Sequence, residues 1–209
     1  MPHLRKANCR YLCSRRGLLY TREQLPGDPQ AGVQPAQVVR CSYKKRGHVM
    51  RVKGIIEEDF TNFKLPAMFI NTSFCDFKCC TESNLGIEVC QNAPLAQAPS
   101  KDIPNSVIYQ HFANNPITKA VVIGGMEPFL QIDEVEDLIK LFRSNGDVSP
   151  VVIYTGYYPN EVRSSLERLE KYENIIVKFG RFIPDKPHRY DDVLGITLSS
   201  DNQYAEQLS

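Results

Sequence analysis

Four short apolar runs constrain the fold of this chain more than anything else in it. They are Ala67–Thr72, residues 120–123, Val151–Tyr154 and Ile175–Phe179, each bounded by polar residues or glycine. Short runs of this kind read as buried strands. Between them lie stretches long enough for helices. Residues 132–145 carry the clearest helical period, with Ile132, Val135, Leu138, Ile139 and Phe142 on one face. Asp133 and Glu134 sit in its first turn and Gly146 follows its end. Residues 106–114 and 161–171 read as two more helices, the second with Val162, Leu166 and Leu169 inward. Residues 51–56 read as an opening strand and 193–198 as a last one. The cysteine-bearing segment and residues 94–104 read as loops, and residues 199–203 as a polar turn before a short tail. No internal repeat is visible. Strands alternating with helices predict an α/β fold, with a mostly parallel sheet that either stays open or curls into a partial (βα) barrel.

In such sheets the functional loops gather at the carboxyl ends of the strands. Three loops here follow strands and are expected on one rim. The first carries Cys75-x3-Cys79, with Cys90 downstream; the second is Gly124-Gly125-Met126-Glu127-Pro128; the third is Thr155-Gly156. Iron–sulfur clusters normally take four cysteines. Three thiolates can hold a 4Fe–4S cluster and leave one iron without a protein ligand, and an open position is where a metal site does chemistry. A buried free cysteine is common and inert, so each thiol alone says little; the set after a strand favours a metal. Zinc is the competitor. It wants four ligands, and Cys80 could supply a fourth thiolate, but adjacent cysteines suit one zinc poorly. His3, His48, His111 and His188 show no paired spacing, and no His–carboxylate pair is legible, so no acid–base residue is expected. Gly124-Gly125 lets a ligand approach the backbone, and Glu127 places a carboxylate nearby. Alone, that element would read as a helix N-terminus with an acid on its positive end.

The chain has 209 residues, 42% hydrophobic and 23% charged, which suits one globular domain. No apolar run approaches the roughly 20 residues of a membrane helix, and the basic N-terminus lacks the apolar region of a secretory signal. Seven cysteines, an odd and unevenly spaced set, fit reduced thiols in a cytosol. Charge is split. Residues 1–49 hold ten Lys or Arg against Glu23 and Asp28, a net of +8, which leaves −7 for the rest of a chain of formal charge +1. That segment has four prolines and no period. It reads as a basic extension, either disordered or preceding a true start at Met50, with residues 50–209 as the folded domain. It also holds a second Cys9-x3-Cys13 spacing with Cys41. A basic arm can bind nucleic acid, but no motif supports that here, and neither a nucleic-acid nor a membrane partner is expected.

These motifs, taken in order, resemble the radical S-adenosylmethionine superfamily, and within it the activating enzymes of the anaerobic ribonucleotide reductase. The resemblance covers about residues 50–209. It rests on Cys75-x3-Cys79, Cys90-Gln91-Asn92, Gly124-Gly125-Met126-Glu127-Pro128, Tyr154-Thr155-Gly156-Tyr157, Lys178-Phe179-Gly180-Arg181-Phe182 and Ser200-Asp201-Asn202-Gln203. It implies a 4Fe–4S cluster on Cys75, Cys79 and Cys90, and S-adenosylmethionine held near Val89, Gln91, Gly124, Gly125, Glu127 and Thr155. The implied chemistry is one-electron cleavage of that cofactor to methionine and a 5′-deoxyadenosyl radical, which takes hydrogen from a glycine Cα of the reductase large subunit. A low-potential donor such as flavodoxin would supply the electron. Two departures stand out. The family spacing is C-x3-C-x2-C, whereas position 82 is Glu, ten residues separate Cys79 from Cys90, and Val89 replaces the usual aromatic residue before the last cysteine. Met126 interrupts the Gly-Gly-Glu element. The wider loop leaves Cys80 as a substitute for Cys79. Two alternatives remain: a radical enzyme acting on a small molecule, and a non-catalytic module stabilised by a metal or cluster.

Overall fold

The computed structural model describes residues 48–209; the readings placed on residues 1–47, the second cysteine set included, lie outside the described residues. In chain order the strands are β1 (Val49–Asp59), β2 (Ala67–Thr72), β3 (Lys101–Pro104), β4 (Ala120–Gly124), β5 (Val151–Tyr154), β6 (Ile175–Phe179), β7 (Arg189–Asp191), β8 (Ile196–Leu198) and β9 (Tyr204–Gln207). The helices are α1 (Lys78–Glu82), α2 (Ala93–Gln97), α3 (Asn105–Asn114), α4 (Ile132–Ser144) and α5 (Arg163–Leu169). The four apolar runs form the centre of one seven-stranded sheet, ordered β3-β1-β2-β4-β5-β6-β9. β2, β4, β5 and β6 pair in parallel. Their runs are apolar throughout because both faces are covered.

Alternate residues serve two different cores. Met68, Ile70, Val121, Ile123, Ile153 and Val177 face α3, α4 and α5, meeting Phe112, Leu138, Phe142, Leu166 and Leu169. Phe69, Val122, Val152 and Ile176 face a smaller cluster with Phe63, Leu194 and Leu198. The central strands advance across the sheet without reversal, so right-handed crossovers place α3, α4 and α5 on one side. The other side is left to the turn after β1 and the β7–β8 hairpin. That hairpin is anchored where Lys64 N donates to the Leu194 carbonyl, at 2.8 Å. The open space on this second side, at the carboxyl ends of β2, β4, β5 and β6, becomes the site.

Several local expectations are corrected. The sheet is mixed: β1 runs antiparallel to both β2 and β3, and β9 antiparallel to β6. Its edge strands β3 and β9 do not pair with each other, so the sheet does not close. Residues 94–104 are not all loop but contain most of α2 and the edge strand β3. Residues 193–198 do not join the main sheet, since only Ile196–Leu198 is strand and it pairs with β7. The tail after the polar turn is itself strand β9. Among the described residues no helix is long and apolar enough to cross a membrane.

Candidate metal centre

The segment after β2 is folded, not loose. Phe77 takes a left-handed conformation (φ 55°) and starts α1, whose five residues include Cys79 and Cys80. A second left-handed residue, Asn84 (φ 53°), follows it. Bulky residues adopt this conformation at a cost of about 1–2 kcal/mol, so tertiary contacts must hold the segment. A 3-10 turn at Ile87–Val89 then returns the chain and delivers Cys90. The insertion is therefore an excursion that leaves and comes back, and Cys75, Cys79, Cys80 and Cys90 all line one cavity of about 460 Å³. Phe77 N donates to Cys75 Sγ at 3.3 Å, and Asn92 N to Cys90 Sγ at 3.4 Å. Burial pushes the Cys75 thiol up to about 12 and raises that of Cys79. Such thiols stay protonated until a metal charge draws the proton off. Among the described residues no three His, Cys, Asp or Glu side chains are gathered to hold a single metal ion. A four-iron cube accepts thiolates spaced more widely than one ion does, and a donor set of thiols with backbone N–H groups aimed at sulfur fits it.

The glycine loop lies against the cysteine loop, with Glu127 N donating to the Phe74 carbonyl at 2.6 Å. Glu127 is buried and lines the cavity. It accepts from Thr155 Oγ1 at 2.8 Å, Gly156 N at 2.9 Å and Phe129 N at 3.1 Å. Burial pushes its carboxyl up to about 7 against the pull of those donors. Its oxygens therefore join the β4 and β5 loops, Oε1 taking two of the donors and Oε2 one. Thr155 also lines the cavity, its Oγ1 accepting from Tyr157 N at 2.9 Å. Gly124 is not part of the cavity wall: a Cβ there would meet Tyr154 Cβ at 3.0 Å and Phe69 Cζ at 3.1 Å. Gly125 does line it, at φ 83°, but a Cβ would strike Asn71 Oδ1 at 2.5 Å and not a ligand path. The glycine pair is thus required by close packing within the protein. Val89 and Gln91 stand in the cavity wall as well, Gln91 donating to Ser199 Oγ at 3.4 Å.

Two residues of the site stand in the motifs quoted from the sequence without a role assigned to them there. Lys178, the fourth residue of β6, is 7% exposed and lines the cavity. It donates to the Gly180 carbonyl at 3.3 Å and lies 5.8 Å from the Tyr154 ring centre, with no carboxylate at ion-pair distance among the described residues. Burial lowers its ammonium to about 8. Its signal was a lysine inside an otherwise apolar strand. Gly156 is the other: a Cβ there would stand 3.1 Å from Cys79 Sγ. The pairs His111–Glu57, at 2.9 Å, and His48–Asp137, at 3.7 Å, correct the expectation of no His–carboxylate contact, yet none of the four residues lines the cavity.

Arg181 fastens the cysteine helix to the sheet. Its guanidinium bonds Glu82 at 2.7 and 2.9 Å, Glu161 at 2.6 and 2.8 Å, and the Gly156 carbonyl at 2.6 Å. It also packs over Tyr158, 5.0 Å from the ring centre. Position 82, where the family's tighter spacing has its last cysteine, is here an anchor for α1. The Arg181 guanidinium holds the Glu161 carboxyl well below the usual range. Arg181→Ala is expected to cost about 2–3 kcal/mol, because it strands two carboxylates and a carbonyl, and to lower the melting temperature by roughly 4–12 °C. Arg181→Lys should recover only part, lacking the planar fork. An unchanged melt for both would show that α1 is held elsewhere.

A family model described as a 4Fe-4S single cluster domain matches residues 67–204, a span that contains all four of these cysteines, the glycine loop, Lys178 and Arg181. No curated protein and no solved structure matches the chain.

Proposed function

The chain belongs to the 4Fe-4S single cluster domain family, and on that premise we propose that it is a radical S-adenosylmethionine enzyme that activates an anaerobic ribonucleotide reductase. The observation that carries this reading is one cavity walled by Cys75, Cys79, Cys90 and the buried ammonium of Lys178. The three thiols would hold the cluster. When bound, the cluster supplies one electron that breaks the sulfonium C–S bond of S-adenosylmethionine. Lys178 has no carboxylate at ion-pair distance among the described residues and faces the same space, so it suits the cofactor's carboxylate; charge-assisted bonds of this kind are about twice as strong as neutral ones. Gly125 gives a stretch of backbone wall without a side chain, with Met126 beside it, while Val89 and Gln91 border the cavity from the cysteine side. Glu127 and Thr155 keep the two rim loops together. That α3, α4 and α5 cover one face of the sheet while the site opens on the other supports reading the fold as a partial (βα) barrel. A glycine Cα of the reductase large subunit would give up its hydrogen, with a flavodoxin-like donor in the cytoplasm reducing the cluster.

The experiment is anaerobic reconstitution, dithionite reduction and assay of 5′-deoxyadenosine. Wild type should form it. Lys178→Met should keep the cluster but weaken S-adenosylmethionine binding by about tenfold or more, equal to about 1.4 kcal/mol. A full cluster with no 5′-deoxyadenosine, even with the reductase present, would leave a cluster-stabilised binding module. Cleavage without a glycyl radical on the reductase would point to a small-molecule substrate.

A further inference from the structure

A three-ligand cluster leaves Cys80 unexplained. Cys80 is 8% exposed and belongs to neither apolar core, so its burial is not that of a packed core thiol. Adjacent positions on a helix point about 100° apart, yet Cys79 and Cys80 both line the cavity. Cys90 lines the same cavity from the other end of the excursion. The cavity therefore carries four thiols, the number such a cluster normally takes. The helix that presents Cys80 is only five residues long, has no side-chain cap and is bounded by two left-handed residues. So short a helix has little stability of its own, and it is held through the Arg181–Glu82 pair at its carboxyl end.

We propose that Cys80 is a displaceable fourth ligand, capping the open iron until an amino and carboxylate ligand replaces it. This rests on the cluster reading above. The exchange involves no net redox change. The bond between iron and the Cys80 sulfur breaks, bonds from the ligand's nitrogen and carboxylate oxygen form, and the proton leaving the ligand's ammonium is taken by the Cys80 thiolate. The consequence is protection: the cluster offers no vacant iron until its cofactor arrives.

The test uses the full chain, reconstituted anaerobically with iron and sulfide, as wild type, Cys80→Ala and Cys80→Ser. Iron and sulfide are counted, and the reduced cluster's electron paramagnetic resonance is followed during titration with sodium cyanide, a small ligand that needs an exchangeable iron position. All three proteins should hold the cluster. If the cap is closed in about nine molecules of ten, wild type should need about tenfold more cyanide than Cys80→Ala, since only the competent fraction binds. Cys80→Ser should fall at or near the alanine value. Identical titrations in loaded wild type and Cys80→Ala would overturn the cap. Iron loss on Cys80 substitution would also overturn it, making Cys80 a permanent ligand. Absence of iron from wild type would instead fail the cluster reading itself.

Discussion

Replacing Cys75, Cys79 or Cys90 by serine is expected to remove the brown chromophore and to take iron from about four per chain to near zero. The three thiols reach the cavity from two directions. Cys75 and Cys79 come off the end of β2, while Cys90 arrives after the excursion through residues 83–89. Each supplies one corner that no other described side chain can fill, apart from Cys80. Cys79 Sγ stands against the β5 loop, where a Cβ at Gly156 would come within 3.1 Å of it. Cys80→Ser serves as the internal control and should stay brown. A colourless Cys80→Ser beside a brown Cys79→Ser would exchange the two assignments. The fold should survive each substitution, because none of these four cysteines belongs to either apolar core; circular dichroism of the colourless variants checks this.

Gly125→Val should be the most damaging single change in the glycine loop, and its damage should reach the fold before the cofactor. The position has φ 83°, which a β-branched residue tolerates poorly, at roughly 1–2 kcal/mol. Its new Cβ would lie 2.5 Å from Asn71 Oδ1 and 3.1 Å from Asn71 Cα. The side-chain oxygen can turn away, but the Cα cannot, because Asn71 is fixed in β2 beside Gly124. Forcing extra methyl groups into such a place adds about 1–3 kcal/mol. The total of about 2–5 kcal/mol predicts a melting temperature lower by roughly 4–20 °C. It also predicts poor cluster loading, since Asn71 lies four residues before Cys75. A normal melt and full cluster, with cofactor cleavage alone lost, would return Gly125 to a ligand-facing role.

The apolar runs made β2, β4, β5 and β6 legible from sequence, and the period of residues 132–144 made α4 legible, because a strand or helix covered by a core writes its own repeat into the chain. The cysteines could be nominated for the same site because loops that follow parallel strands share a rim. Elements held mainly by distant partners left no such trace. β3 is mostly exposed and exists because it pairs with β1, fifty residues earlier; α1 is too short to show a period and is held by Arg181. Residue type alone did not show the side-chain partners. Glu127 suggested a ligand contact, and the fold adds three donors from its own chain that decide where its oxygens point. Lys178 looked like an interruption of a core strand, and only the register of β6 against β5 and the open second face of the sheet turn it into a cavity cation. Local pattern thus determined which segments are strands and which thiols could be neighbours. Pairing, handedness and burial, which depend on residues far apart in sequence, decided which side of the sheet stays open and which charges face it.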